Sequence, residues 1–145
     1  MKTPLRLALL SLLWIGLAFG VSAIDDFSAT PEGVQFKELQ IGEGERVNTG
    51  DVAVMHFVGW LAEDGQRGRE IFNTRQRGKP VSFVVGTEKV MPGWNAGVLG
   101  MRSGGRRLLL VPPGLAFGPK GVSGVVPANA SLMFLIELVS VEKAQ

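Results

Sequence analysis

The sequence predicts an α+β fold in which a curled antiparallel sheet of five or six strands wraps one short α-helix. Three observations carry this. Apolar runs of strand length recur between glycine and proline punctuation at Val34–Ile41, Asp51–Leu61, Glu70–Phe72, Val81–Val85, Arg106–Val111 and Leu132–Val141. Only one stretch, opening at Pro92, has helical spacing, and it follows most of the strands. Helix and strand do not alternate, which argues against parallel crossover architectures.

Residues 1–23 differ in composition from the rest. Lys2 and Arg6 precede an apolar run from Leu7 to Gly20, broken only by Ser11, and Val21-Ser22-Ala23 offers a small-residue cleavage site. That is the pattern of a secretory signal peptide, and an apolar run of roughly fourteen residues is short for a membrane span. An exported, periplasmic protein is expected, free of the membrane once cleaved. An uncleaved leader anchoring it to the inner membrane is the alternative. Residues 24–32 read as a flexible arm, with Asp25, Asp26, Ser28, Thr30 and Pro31 and no apolar period. Residues 33–145 read as one domain.

Without residues 1–23 the chain has 13 basic and 13 acidic residues. Its net charge is then about zero, so the composition gives no support for nucleic-acid binding. The sequence contains no cysteine, which excludes disulfides and thiolate chemistry, and His56 is the only histidine. One histidine without cysteines makes a poor transition-metal site and no catalytic triad, so His56 is expected to be structural and hydrogen-bonded. No cofactor or metal is expected. Gly42-Glu43-Gly44-Glu45 begins like a dinucleotide-binding loop but lacks the third glycine and the following helix, so it reads as a turn.

Taken in order, Val34–Ile41 is the first strand. Asp51–Leu61 is the strongest, with Val52, Val54, His56 and Val58 on one face and Ala53, Met55, Phe57 and Leu61 on the other. Two apolar faces predict a central strand covered on both sides. Glu63-Asp64-Gly65 makes a hairpin turn, and a polar excursion at Gln66–Arg69 precedes the strand through Phe72. Arg67, Arg69, Arg75, Arg77 and Lys79 make this the one locally basic region, read as a solvated loop or an anionic-partner patch. Pro80 introduces the strand Val81–Val85.

Pro92 suits the first turn of a helix, since its missing N–H and fixed φ cost nothing there, and Gly104-Gly105 is the expected stop. Trp94, Val98 and Met101 share one face at spacings of four and three. A helix of two or three turns needs cover from the rest of the chain, so Trp94 is either core filler or the floor of a pocket. Arg106–Val111 is a strand read as buried on both sides through Leu108, Leu109 and Leu110. Residues 115–131 form a long surface loop carrying Phe117, Val122, Val125 and Val126, as functional loops do. Leu132–Val141 closes the sheet with Leu132, Phe134, Ile136 and Leu138 inward.

In this order the motifs resemble those of the FKBP-type peptidyl-prolyl cis/trans isomerases, the macrolide-binding immunophilins, over about Gly33 to Val141. They are Gly50-Asp51; His56 to Leu61; Asp64-Gly65; Phe72-Asn73; Arg77 to Pro80; Val90-Met91-Pro92-Gly93-Trp94; Gly100-Met101; Pro112-Pro113; Ala116-Phe117-Gly118; Val125-Val126-Pro127; and Glu137-Leu138. The resemblance implies a hydrophobic pocket between helix and sheet. Phe57, Asn73, Trp94 and Phe117 would carry catalysis. Phe72, Val81, Phe83, Val90 and Met91 would bind substrate together with Val125, Val126 and Phe134. Trp94 becomes the platform under the prolyl ring, and the Met91 N–H anchors a substrate carbonyl.

Apolar residues suffice for this reaction. Rotation about a peptide bond meets a barrier of about 18–20 kcal/mol because twisting removes amide resonance. The twisted amide is less polar than the planar one, so an apolar pocket favours it, and each ~1.4 kcal/mol of such preference is about tenfold in rate.

The sequence departs from the family pattern at three pocket positions. Phe57 and Phe117 stand where tyrosine is common, and Asn73 where aspartate is usual; the sequence has no tyrosine at all. Lost hydrogen bonds of about 0.5–1.5 kcal/mol each would lower activity by roughly one to three orders of magnitude. The spacing from Gly65 to Phe72 is also longer than usual. Three readings follow: an exported monomeric isomerase acting on prolyl segments of exported proteins and able to bind macrolides; a weakly active binding module for prolyl or apolar segments; and an interaction domain using Arg67 to Lys79.

Overall fold

The computed structural model describes residues 26–145; the leader and the first residues of the arm lie outside the described residues. Seven strands form one antiparallel sheet: β1 (Ser28–Ala29), β2 (Gln35–Gln40), β3 (Val52–Glu63), β4 (Gln66–Asn73), β5 (Val81–Val84), β6 (Arg106–Val111) and β7 (Ser131–Glu142). Two α-helices, α1 (Thr74–Arg77) and α2 (Pro92–Val98), and a 3-10 turn at Pro113–Leu115 complete the described elements. The strand order is β1-β2-β6-β7-β3-β4, with β5 pairing the first half of β3.

The spine of the sheet is the pair β3–β7, twelve residues each, matched from Val52 opposite Glu142 to Ala62 opposite Ser131 with one register shift between Val54 and Met55. Strict alternation along β3 sends Ala53, Met55, Phe57, Gly59 and Leu61 into the core. Its other face is half-buried rather than covered, which corrects the two-sided burial expected for Asp51–Leu61. Strand β6 behaves likewise: Leu109 is fully enclosed, whereas Leu108 and Leu110 face outward and are half-buried. That outer face carries an apolar groove of about 440 Å³ lined by Leu39, Trp60, Leu108, Met133 and Leu135, with the Arg67 guanidinium 5.1 Å over the Trp60 ring.

The Asp64-Gly65 turn forms as expected, both residues adopting positive φ (51° and 75°) as a two-residue hairpin requires. Gln66–Arg69 is strand rather than loop. It stays paired with β3 through register irregularities between Gly59 and Ala62, which absorb the extra length. The arm is not wholly loose either, since Ser28 and Ala29 pair with Phe36 and Gln35.

Helix α2 ends earlier than Gly104-Gly105 implies. Leu99 turns extended at ψ 130°, and Gly100, at φ 84°, donates its N–H to the Val47 carbonyl at 3.1 Å. Met101 is buried all the same, beyond the helix. The helix sits hard against β6: a Cβ on Gly93 would come within 2.4 Å of Val111 Cγ1, and one on Gly97 within 2.4 Å of Leu109 Cδ1. Arg107, also on β6 and almost entirely buried, donates to the carbonyls of Gly97 (2.8 Å) and Leu99 (3.2 Å) and pairs with Glu38. It thereby satisfies carbonyls that the helix end leaves free.

Candidate functional site

Between α2 and the concave face of the sheet, the aromatic side chains form one connected cluster. Trp94, in the first turn of α2, meets Phe57 of β3 edge-on at 4.7 Å between centroids, Phe134 of β7 edge-on at 5.6 Å, and Phe83 of β5 at 5.8 Å with a 34° tilt. Phe57 in turn meets Phe72 of β4 at 6.3 Å, and Phe72 meets Phe117 at 6.3 Å. Edge-to-face contacts at these separations are favourable and fix ring orientation. Glycine is needed where β3 passes beneath them: a Cβ on Gly59 would lie 2.9 Å from Phe134 Cε1 and 3.2 Å from Phe72 Cδ2.

The expected site residues come together at two depths. Phe57, Phe83, Val126 and Phe134 are buried, and Phe134 is completely enclosed, so it backs the Trp94 and Phe57 rings rather than facing the opening. Phe72, Val81, Val90, Met91, Trp94, Phe117 and Val125 are half-buried and pack against that core. Trp94 is therefore both core and surface. Its indole Nε1 is buried and has no hydrogen-bond partner among the described residues. The Met91 carbonyl accepts the Trp94 N–H at 3.0 Å, while the Met91 N–H finds no backbone acceptor among the described residues.

Asn73 is occupied structurally. It is the N-cap of α1, its Oδ1 accepting the N–H groups of Arg75 (3.0 Å) and Gln76 (3.4 Å), while Nδ2 donates to Glu70 Oε1 at 3.4 Å. Two positioning residues escaped the sequence reading. Thr74, buried, accepts the Phe57 N–H at 2.9 Å, donates to the Phe57 carbonyl at 3.3 Å and lies 2.9 Å from His56 Nδ1. The single hydroxyl proton serves either the Phe57 carbonyl or His56 Nδ1, and in either case the His56 ring is hydrogen-bonded to Thr74. Asn95 accepts the Gly86 N–H at 2.8 Å and donates to the Thr87 carbonyl at 2.7 Å, bracing the loop that ends at Met91. Nothing in sequence periodicity marks such side-chain-to-backbone bonds; a hydroxyl after an asparagine at a helix start is the one signal available for Thr74.

The loop at 115–131 is held in place by its backbone. Val122 and Val126 exchange N–H···O bonds at 2.9 and 2.8 Å, and Asn129 donates to Gly118. It presents Phe117 and Val125 beside Phe72 and Val126. The residues of this cluster are uncharged, so the face they form suits contact with a compact apolar ring.

Fold and cluster together define a small antiparallel-sheet protein with one short helix packed over an uncharged aromatic face. Residues 43–139 match the family described as FKBP-type peptidyl-prolyl cis-trans isomerase. The chain is 35% identical over 139 residues to FK506-binding protein 2 of Yarrowia lipolytica, covering 94% of this chain and 93% of that one. It is 37% identical over 115 residues to FK506-binding protein 1A of Neurospora crassa, covering 79% and 92%. Among solved structures, FkpA from Escherichia coli matches with a TM-score of 0.72 and 33% identity, over 83% of this chain and 54% of that one. AtFKBP13 matches with a TM-score of 0.70 and 33% identity, over 79% and 97%. The chain belongs to the FKBP-type peptidyl-prolyl cis-trans isomerases, and its activity is the cis/trans isomerisation of Xaa-Pro bonds.

Proposed function

We propose that this isomerase works in the hollow over Trp94, and that its leader exports it to the periplasm, where it acts as a monomer on prolyl segments of exported proteins. The connected aromatic cluster around Trp94, uncharged and only half-buried at Phe72 and Phe117, carries the reading of the site. In this assignment Trp94 is the platform under the prolyl ring. Phe57, Phe72 and Phe117 form the walls that exclude water, and Phe83, Val126 and Phe134 hold the rings in place. Val81, Val90 and Val125 extend the apolar rim, and the Met91 N–H takes a substrate carbonyl.

Rotation is promoted by differential solvation. The planar amide leaves water reluctantly and the twisted one more easily, so the hollow binds the transition state better than either ground state. Asn73 acts here mainly by holding α1 and the start of the rim. Macrolides are ligands of the same hollow, in keeping with relatives that are FK506-binding proteins.

Exchange NMR on a short Xaa-Pro peptide tests the site: catalytic amounts of protein accelerate interconversion, and a macrolide blocks it. No acceleration at high protein concentration would refute the assignment. Detection of the cleaved protein in a periplasmic fraction tests the export, and sedimentation tests the monomer.

A second reading rests on the hydroxyl-free walls at Phe57 and Phe117 and on the engaged carboxamide of Asn73. A hollow so trimmed favours binding over turnover. Measured peptide affinity unchanged in variants that gain rate would support it.

A further inference from the structure

We propose that Arg69 gives this site a preference for prolyl segments carrying an acidic side chain next to the proline; the proposal rests on the hollow over Trp94 being the substrate site. Arg69 comes from the extra length between Gly65 and Phe72, the stretch that the register irregularities of β4 accommodate. Its Nη2 donates to the Val125 carbonyl at 3.4 Å, carrying the guanidinium across to the loop that forms the opposite side of the opening. Phe72, three residues further along β4, is in the aromatic cluster and contacts Phe117 of that loop. The charge therefore stands beside the Phe72–Phe117 contact, at the edge of the proposed site.

The other basic residues of this region are differently placed. Arg67 stacks on Trp60 at the outer face of the sheet, and Arg75 is paired with Glu137. Arg69 has no carboxylate partner among the described residues, although Glu63 and Glu70 are its neighbours in β3 and β4. A guanidinium has five N–H donors, and one is used on Val125, so a bidentate fork remains for a carboxylate. Between Asn73 and Val81 the chain carries Arg75, Arg77 and Lys79 and no acid, while the Glu70 carboxylate accepts from Asn73 Nδ2 at 3.4 Å. The hollow itself is uncharged and supplies affinity for the ring, while the rim adds selectivity through a charge-assisted contact beside an apolar surface.

Exchange NMR of three peptides that differ only in the residue next to proline, Glu, Gln or Lys, decides the matter. The set is run once with the variable residue before proline and once after. Wild type accelerates the Glu peptide about threefold or more over the Lys peptide at low salt in at least one set. The ratio shrinks toward one above roughly 0.5 M salt, as expected of an exposed charge contact. Arg69→Gln collapses the ratio, Arg69→Glu inverts it, and Arg67→Gln on the outer face keeps it. Equal rates for Glu and Lys peptides in both sets, or a preference that survives Arg69→Gln, would overturn the role of Arg69 while leaving the site intact. Failure of wild type to accelerate even the Gln peptide would overturn the site assignment and this inference together.

Discussion

Trp94 is the side chain on which most of the site converges, touching Phe57, Phe83 and Phe134 at 4.7–5.8 Å. Trp94→Leu keeps an apolar filler but removes the flat surface, and kcat/KM is expected to fall by about tenfold or more, equivalent to ~1.4 kcal/mol of transition-state binding. Exchange NMR measures that loss, and an unchanged rate would remove Trp94 from the platform role. Asn73→Asp combined with Phe117→Tyr restores a charge and a hydroxyl at the rim. Aspartate caps a helix as well as asparagine does, so α1 survives the change even though the bond from Asn73 to Glu70 is lost, and the double variant is expected to gain about tenfold in rate. A gain in rate with little gain in peptide affinity would mark the natural protein as a binder first. Asn73→Ala separates the capping role, costing about 1 kcal/mol in urea unfolding through the freed N–H groups of Arg75 and Gln76.

Among elements, α2 is short and its N-cap, Met91, makes no side-chain cap hydrogen bond. Its position comes from contact with β6, where Gly93 and Gly97 lie flat on Val111 and Leu109 and Arg107 holds the last carbonyls. Gly93→Ala forces a methyl into Val111 and toward the Leu115 carbonyl, 3.0 Å away. A destabilisation of about 1–3 kcal/mol is expected from urea unfolding, despite alanine's better helix propensity. A neutral result would show that the helix can shift on the sheet. The helix start was legible because proline at its first position is a local signal. Its end was not, because Val98 yields to Leu99 through a tertiary contact between Gly100 and Val47. Strand β4 teaches the same distinction: glycine and arginine at Gln66–Arg69 read as loop, yet pairing with β3 overrides the local preference.

At the scale of the molecule, one end of the long β3–β7 pair, where β3 begins and β7 finishes, is fastened by Asp51. Its buried carboxylate takes the Asn48 N–H (2.8 Å), the Lys143 ammonium (2.7 Å) and the Ala144 N–H (2.9 Å). The Lys143 hydrogen bond, followed by those from the Ala144 and Asn48 amides, lowers its pKa from 3.8 to about 2. A carboxylate whose folded pKa lies below its unfolded value contributes stability that is complete above the unfolded value and lost as pH falls through the folded one. Thermal melts are therefore expected to show stability dropping between about pH 4 and pH 2. Asp51→Asn, less stable at pH 7, loses less over that window; parallel acid profiles would refute the linkage. Wild type and variant are compared in the same buffer series.

The sequence by itself determined the α+β class, the long central strand, the Asp64-Gly65 turn and the identity of the aromatic residues, because period-two alternation and turn chemistry are local. It also carried the family motifs, and with them the activity. Only the tertiary structure decided that Phe134 stands behind Trp94 rather than in the opening, that Thr74 and Asn95 hold the backbone of the site, and that Ser28–Ala29 adds a seventh strand. Each of these depends on groups far apart in the chain meeting at hydrogen-bond or contact distance. No spacing along one segment encodes that meeting, which the packing of α2 against the sheet brings about.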